Sequence, residues 1–581
     1  MKSNSRISAG ITGAIKAFAP LLTFVWLSLA APLSVSPYIG WFTLSRTCGG
    51  LTESFAASFV VLLLPMLLYA ITGRRMVRVI AFIFGALIAL LTWLLCYSEL
   101  YCTLELKCRI NESVLSLIRQ TDSGEAGEFL HHAAGLETFQ LALNVMLIPP
   151  GAFLAVFFLR RFFAYLNRRF VMITLAVVLS VSTVAFILFN FSFLFGRPVD
   201  DYSMMITPLK VMYESRALAN NTQEIENLRR ANEEIEVASV KEKLPLVVVI
   251  IGESDKKTHS SLYGYELPTM PRLESLLNDS LKAKGELVVF TDVVTGDCYT
   301  NLVMKRLLST NNDTVEWPER PLLPAVLKKG GYGVMYFDNQ TTPSNFNAID
   351  YSSVYFMNDE VTGSQSFDKR NTERYPYDYQ LIDTVMPDIL AAKDSTVVFL
   401  HLMGQHLLAS SRYPAEDAVF TKTDYQHRTD LPSAAIEDIM HYDNATVALD
   451  KLLGDVFERL ADRDAIVIYL SDHGEELYDY RIQYGRKPGP MTTDRAHTLY
   501  DVPMYIYMTP TFTESRPEVA ESIRTRASSP VYTYWMPDFL LDICGLSTPA
   551  FTPERSFISS TYNASGARKI DEGKVDYDEV K

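Results

Sequence analysis

The stretch AIVIYLSDHGEE, residues 465–476, is apolar at each of its first six positions and then turns abruptly polar. A run that is apolar without alternation reads as a strand covered on both faces, the kind that parallel sheets contain. It delivers Asp472 and His473 side by side into a turn that contains Gly474. A carboxylate and an imidazole presented together are good ligands for zinc or manganese. The plainer alternative is that both residues only cap the turn and satisfy local hydrogen bonds.

Four more runs of this kind lie around it: LPLVVVIIG (244–252), GVMYFDN (333–339), STVVFLHLMG (395–404) and VPMYIYM (502–508). With helical or loop segments between them, they predict an α/β domain over residues 242–581, a mostly parallel sheet sandwiched by helices. Candidate chemical residues follow the runs: Glu253, Asn339, His401 with His406, and Asp472 with His473. Open α/β sheets build their sites at the carboxyl ends of strands. The repeated coincidence points to an enzyme.

Towards the N-terminus the composition changes. Apolar stretches over residues 17–35, 55–72, 77–97, 139–159 and 171–195 are each long enough to cross a bilayer as a helix. The first could pass for the core of a signal peptide, but four more follow it, so an uncleaved anchor is expected. Residues 1–196 are therefore read as a transmembrane bundle of five helices. Arg74, Arg75 and Arg78 crowd one link between spans, and Arg160, Arg161, Arg168 and Arg169 another. The positive-inside rule puts both links and the N-terminus in the cytoplasm, and everything after residue 196 outside.

Cys102 and Cys108, in the expected outer loop, either pair as a disulfide or remain two free thiols. Residues 197–241 read as a connector containing the charged, helix-compatible stretch NTQEIENLRRANEEIEVA (221–238). The polar end, ARKIDEGKVDYDEVK (567–581), is expected to be loosely held. A formal charge of −14 over 581 residues argues against nucleic acid as a partner.

Group transfer through the protein needs a nucleophile. TDVVTGDCYTNLVMKRLLS (291–309) sets Thr300 just before a helix-like run. A helix start there would turn backbone N–H groups towards anionic oxygens, and a metal could activate the hydroxyl. A threonine in that position is otherwise an ordinary helix cap. Of nine histidines, His406 and His497 are read as active-site groups. His401 lies nearer the strand body, where packing is almost as good an account. His259 and His441 carry less weight, and the neighbourhood of Cys298 assigns it no role.

Taken together, VVVIIGESDKKTHSSLYGYELPTMPRL (247–273), GDCYTNLVM (296–304), FLHLMGQHLLASSRYP (399–414), HYDNA (441–445) and YLSDHGEE (469–476) resemble the membrane phosphoethanolamine transferases of Gram-negative envelopes. These belong to the alkaline phosphatase and sulfatase superfamily. The resemblance implies a zinc site of Glu253, Thr300, Asp472 and His473, with Thr300 also the nucleophile that carries phosphoethanolamine. A second metal in turnover is compatible with it. It further implies that His406 and His497 face the phosphoryl group or an additional metal and that Asn339 makes substrate polar contacts; Gln405 and His401 are also read as substrate-binding. The usual Gly-Ser-His-Gly reads Gly-Gln-His-Leu at 404–407, and the nucleophile segment reads Cys-Tyr-Thr, closer to the Pro-Tyr-Thr of core-directed members.

The implied reaction is ping-pong. Phosphatidylethanolamine in the bacterial inner membrane would donate, and lipopolysaccharide, through a core sugar or lipid A, would accept in the periplasm. A phosphoglycerol transferase acting on an envelope glycan shares these parts, and a non-catalytic envelope sensor or scaffold could retain the fold. A sulfatase activity fits less well, because CYTNL replaces Cys-x-Pro-x-Arg.

Overall fold

Six apolar positions in a row become a strand only when both of its faces are covered, and the sheet meets that condition. The computed structural model describes residues 2–31, 44–101, 137–163 and 221–580, except 238, 280–283, 311–316, 318, 341–353, 393–394, 407, 481–483 and 487–489. The chain divides into two compact units, one ending at Leu218 and one formed chiefly by Ala219–Lys581.

The described helices of the first unit are α1 (Lys2–Ala30), α2 (Leu44–Val61), α3 (Leu63–Ile71), α4 (Arg75–Tyr101), α5 (Glu137–Met146) and α6 (Ile148–Phe163). Among the described residues, Gly10–Ala30, Arg75–Tyr101 and Leu141–Phe158 are long and apolar enough to cross a membrane. Ser54–Val61 and Leu63–Ile71 add a fourth span if taken together, bent by 52°. Pro65 explains the bend: lacking an N–H, it cannot continue the α2 ladder into α3. The expected span at 171–195 lies outside the described residues, as do Cys102 and Cys108. Leu64, Ile80, Leu87 and Leu91 are exposed on the helix surfaces, as lipid-facing positions are.

Among the described residues, the main sheet of the second unit has seven strands: β1 (Leu246–Gly252), β2 (Glu286–Phe290), β3 (Gly333–Asp338), β4 (Lys369–Arg370), β5 (Thr396–His401), β6 (Ala465–Ser471) and β7 (Met504–Met508). Their order is β2-β7-β6-β1-β5-β3-β4. β7 pairs antiparallel with both of its neighbours, and the rest of the sheet is parallel. All five apolar runs are strands. Two were not anticipated: ELVVF of β2, a short edge strand, and the two-residue β4.

Within β1, Val247, Val249 and Ile251 enter one apolar cluster, while Leu246, Val248 and Ile250 enter another on the opposite face. Burial on both faces is why the run does not alternate. The helices that matter for the site are α7 (Asn221–Glu233), α8 (Pro271–Leu277), α9 (Thr300–Leu307), α10 (Asp378–Leu390), α11 (Ser433–Leu460) and α12 (Thr493–Tyr500).

The C-terminal stretch corrects the expectation of a loose end. Arg568 and Tyr577 are each 1 % exposed. Lys569–Ile570 pairs with Val575–Asp576 in a hairpin. Charge alone suggested a solvated tail, but the charges are consumed in pairs: the Arg568 guanidinium binds Asp292 and Asp578 at 2.6 and 2.5 Å.

Candidate active site

β1 and β6 are adjacent and in register, with Gly252 opposite Ser471. The residues that follow, Glu253 and Asp472, therefore leave the sheet side by side. Glu253, Asp472 and His473 are fully buried and offer ligand atoms that all lie within 4.8 Å of one another. His473 Nε2 is 3.3 Å from Glu253 Oε1 and 3.0 Å from Asp472 Oδ2.

Thr300 joins them from a different element. It is the first residue of α9, whose cap position is Tyr299. Its hydroxyl does not cap the helix. Thr300 Oγ1 donates to Glu253 Oε2 at 2.9 Å and lies 3.2 Å from His473 Nε2. The ordinary capping account of this threonine is thus replaced by a contact with the carboxylate–imidazole cluster.

The carboxylates are held from behind. Asp472 Oδ1 accepts from the N–H groups of Ser254 and His473, at 3.0 and 2.7 Å. Its other oxygen, Oδ2, is buried without a hydrogen bond. Glu253 Oε1 accepts from Ser254 Oγ at 2.6 Å, and its Oε2 accepts from Gln340 Nε2 at 3.0 Å. Ser254 takes a left-handed backbone, φ 56°, a strained state that concentrates at functional sites.

Electrostatics keep His473 neutral. Burial, reinforced by the nearby Arg486 charge, pushes its imidazole down to about 3. A neutral ring has a lone pair on Nε2, which here faces Arg486 Nη1 and Thr300 Oγ1. Burial raises the Asp472 carboxyl above its usual range, so a positive charge beside it would be strongly favoured. An orphaned buried carboxylate oxygen, a neutral imidazole and a hydroxyl suit a divalent metal of zinc's type.

The remaining expected residues divide. His406 belongs near the cluster: burial pushes it down to about 4, with Glu253, Arg412, Arg486 and His473 all acting on it. Its Nδ1 is buried and unpartnered. His401 is fully buried, with Nδ1 3.2 Å from Asp338 Oδ1. Burial works against its charged form, but Asp338, Glu253 and Asp472 outweigh burial and raise its pKa.

Asn339 is occupied elsewhere. It donates to Asp378 Oδ1 at 2.8 Å and accepts from Tyr375 N at 2.7 Å, while Asp378 receives the N–H groups of Met403 and Gly404. It supports the 403–404 turn from α10. Gln405 is fully buried, with Nε2 3.3 Å from Asp255 Oδ1 and from Thr446 Oγ1. His497, on α12, meets Tyr577 OH at 2.9 Å and Asp501 at 4.0 Å and is 42 % exposed. None of its contacts is to the Thr300 cluster. A polar excursion before the strand suggested His497, but the helical phase of α12 turns it to the C-terminal tail.

Sequence reasoning missed Gln340 and Arg486. Gln340 follows Asn339 directly and bridges Glu253 Oε2 to Leu402 O at 2.9 Å. The end of β3 could have drawn attention to it. Arg486 Nη1 reaches His473 Nε2 and donates to Cys298 O at 3.1 Å, while Nε lies 3.5 Å from Glu475. It comes from a loop with no periodicity to mark it. Cys298 itself is buried, and burial pushes its thiol up to about 11, which makes it a poor nucleophile.

A parallel-rich sheet with carboxylates at its strand ends and a hydroxyl at a helix start makes an α/β domain with an enzyme-like site, here following apolar N-terminal helices. The sulfatase family model matches residues 245–536. The chain belongs to the sulfatase family. It is 23% identical over 579 residues to phosphoethanolamine transferase EptC of Escherichia coli O18:K1:H7 (strain RS218 / NMEC), covering 94% of this chain and 92% of that one. The integral membrane lipooligosaccharide phosphoethanolamine transferase EptA of Neisseria meningitidis superposes with a TM-score of 0.60 at 15% identity, over 96% of this chain and 99% of that one. The C-terminal periplasmic domain of Escherichia coli EptC gives 0.50 at 23%, over 60% and 96%. These structural likenesses establish the fold. The resemblance to membrane phosphoethanolamine transferases holds over 94% of this chain.

Proposed function

We propose that this protein transfers phosphoethanolamine from phosphatidylethanolamine to lipopolysaccharide, on a core sugar or lipid A, through a phosphothreonine intermediate on Thr300. The observation that carries this reading is the position of Thr300 Oγ1, which sits at a helix start against Glu253 and His473 rather than capping the helix. Residues 1–196 would anchor the chain in the bacterial inner membrane with the N-terminus in the cytoplasm. Residues 197–241 would connect it to a periplasmic catalytic domain at 242–581. The shared membrane keeps donor lipid and nucleophile at high effective concentration.

Glu253, Asp472, His473 and Thr300 would hold zinc. When bound there, the ion would lower the pKa of the threonine hydroxyl and offset charge on the phosphoryl oxygens. Thr300 Oγ1 attacks phosphorus and passes its proton to Glu253 Oε2, its hydrogen-bond acceptor. The bond from phosphorus to the diacylglycerol oxygen breaks, that oxygen takes the proton from Glu253 and leaves as diacylglycerol, and phosphoethanolamine stays on Thr300. An acceptor hydroxyl then attacks the same phosphorus and gives its proton to Glu253 Oε2, the bond from phosphorus to Thr300 Oγ1 breaks, and the proton returns to Thr300.

Gln340 and Ser254 keep the Glu253 oxygens oriented. Arg486, whose Nη1 reaches His473 Nε2, would turn its N–H groups to the phosphoryl oxygens. His406 would present its unpartnered Nδ1 to the same group.

The test is mass spectrometry of separated lipid A and core oligosaccharide from cells expressing the chain or Thr300→Ala. A phosphoethanolamine on one fraction that disappears with Thr300→Ala is expected. Its absence from both fractions, at equal protein levels, would refute the lipopolysaccharide assignment.

A further inference from the structure

The C-terminal hairpin is joined to both halves of the candidate site. At one end, Glu572 N donates to Asp297 Oδ1 at 2.8 Å, three residues before Thr300. Tyr534 OH holds the other oxygen of Asp297 at 2.6 Å. At the other end, Tyr577 OH lies 2.9 Å from His497 Nδ1, and Thr493 Oγ1 donates to Val580 O at 2.7 Å. Both partners are on α12. That helix in turn supplies the Leu499 carbonyl that accepts Gly474 N at 2.9 Å, next to His473.

The hairpin is itself locked. Arg568, 1 % exposed, bonds Asp578 through Nε and Nη2 and Asp292 through Nη1, so the end of the tail is tied to the turn after β2. Asp571 and Glu572 are both left-handed, φ 55° and 57°, although neither is glycine. Two adjacent strained residues persist only where the surroundings over-determine them. Here the turn they form aims the Glu572 N–H at Asp297.

Without the tail, α12 already meets the Thr300 loop through Tyr500, whose carbonyl accepts Thr295 N at 2.9 Å and whose hydroxyl donates to Cys298 Sγ at 3.6 Å. Both contacts run through one residue of α12, and Cys298 O is held separately by Arg486 Nη1 at 3.1 Å. The bond from Glu572 N to Asp297 Oδ1, at a position between Thr295 and Cys298, ties the same loop to the tail.

We propose that residues 568–580 are a positioning strap that sets Thr300 against His473. This rests on the reading of Thr300 as nucleophile. The strap touches neither substrate nor reacting atoms, and it acts through the Thr300 loop and α12.

The experiment uses the full chain in detergent micelles with phosphatidylethanolamine. It reads the single-turnover rate of diacylglycerol release per folded molecule, the folded fraction being taken from near-ultraviolet circular dichroism. Glu572→Pro removes the N–H and forbids a positive φ. It is expected to lower the rate by about tenfold or more, with the half-saturating lipid concentration within about twofold of wild type. Glu572→Gly keeps the donor and is expected to retain the wild-type rate.

Should Glu572→Pro fail to fold, Asp297→Ala removes the acceptor and leaves the tail sequence intact, with the same loss expected. A rate per folded molecule that is unchanged in Glu572→Pro or, if that variant fails to fold, in Asp297→Ala, would overturn the strap, as would an equal loss in Glu572→Gly. Thr300→Ala in the same assay separates the two ideas. If it still releases diacylglycerol, the nucleophile reading fails. If it is inactive while the strap variants keep their rate, only the strap fails.

Discussion

Glu253 shows how one carboxylate serves several partners. Its two oxygens receive Ser254 Oγ, Gln340 Nε2 and Thr300 Oγ1 between 2.6 and 3.0 Å. Only the last belongs to a group that would react, and the other two set the direction of the carboxylate. Groups that orient a ligand from behind commonly contribute 10–100-fold in metal affinity. Gln340→Ala is therefore expected to weaken zinc binding by about 10–100-fold while the protein still folds, because Gln340 is not part of the apolar clusters. Competition against a chromophoric chelator measures it. Unchanged affinity would remove Gln340 from the site.

At the scale of elements, the site is an assembly of strand ends locked together by close approaches of backbone. A Cβ on Gly474 would lie 2.3 Å from Thr498 O, so the loop after β6 and helix α12 meet at a contact only glycine permits. Gly474→Ala must push α12 away or displace His473. Overpacking of this kind costs about 1–3 kcal/mol, and the displacement should also lower transfer activity. Thermal unfolding and the single-turnover rate together check this, and an unchanged rate would show that α12 can shift without moving His473.

The same scale explains what the sequence made legible. The runs for β1, β3, β5, β6 and β7 were readable because strands buried on both faces are apolar throughout. Glu253, Asp472, His473 and Thr300 were readable because they follow those strands or open a helix. Asn339, Gln405 and His497 lay at plausible positions too, yet their side chains turn to Asp378, Asp255 and Tyr577. Side-chain direction at a strand end or on a helix depends on neighbours brought in from elsewhere in the chain. Arg486 and the buried tail depend wholly on such neighbours, and composition alone suggested the opposite for the tail.

For the whole molecule, the division into two units has a thermodynamic consequence. Every proposed metal ligand lies in the unit that begins at Ala219. A metal that binds the folded site and not the unfolded chain stabilises that unit by mass action, by about 4 kcal/mol when free metal is a thousandfold above its dissociation constant. The buried Asp472 oxygen that has no hydrogen bond would then gain a partner, and the neutral His473 would exchange its Nε2 contact with Arg486 for the ion. Removing metal with a chelator should lower the unfolding transition of the catalytic unit and leave the apolar helical unit where it was. Calorimetry of the full chain in detergent, with and without chelator and with zinc restored, reads both transitions. A chelator that shifts neither, or one that shifts the helical unit alone, would place the metal elsewhere than Glu253, Asp472 and His473.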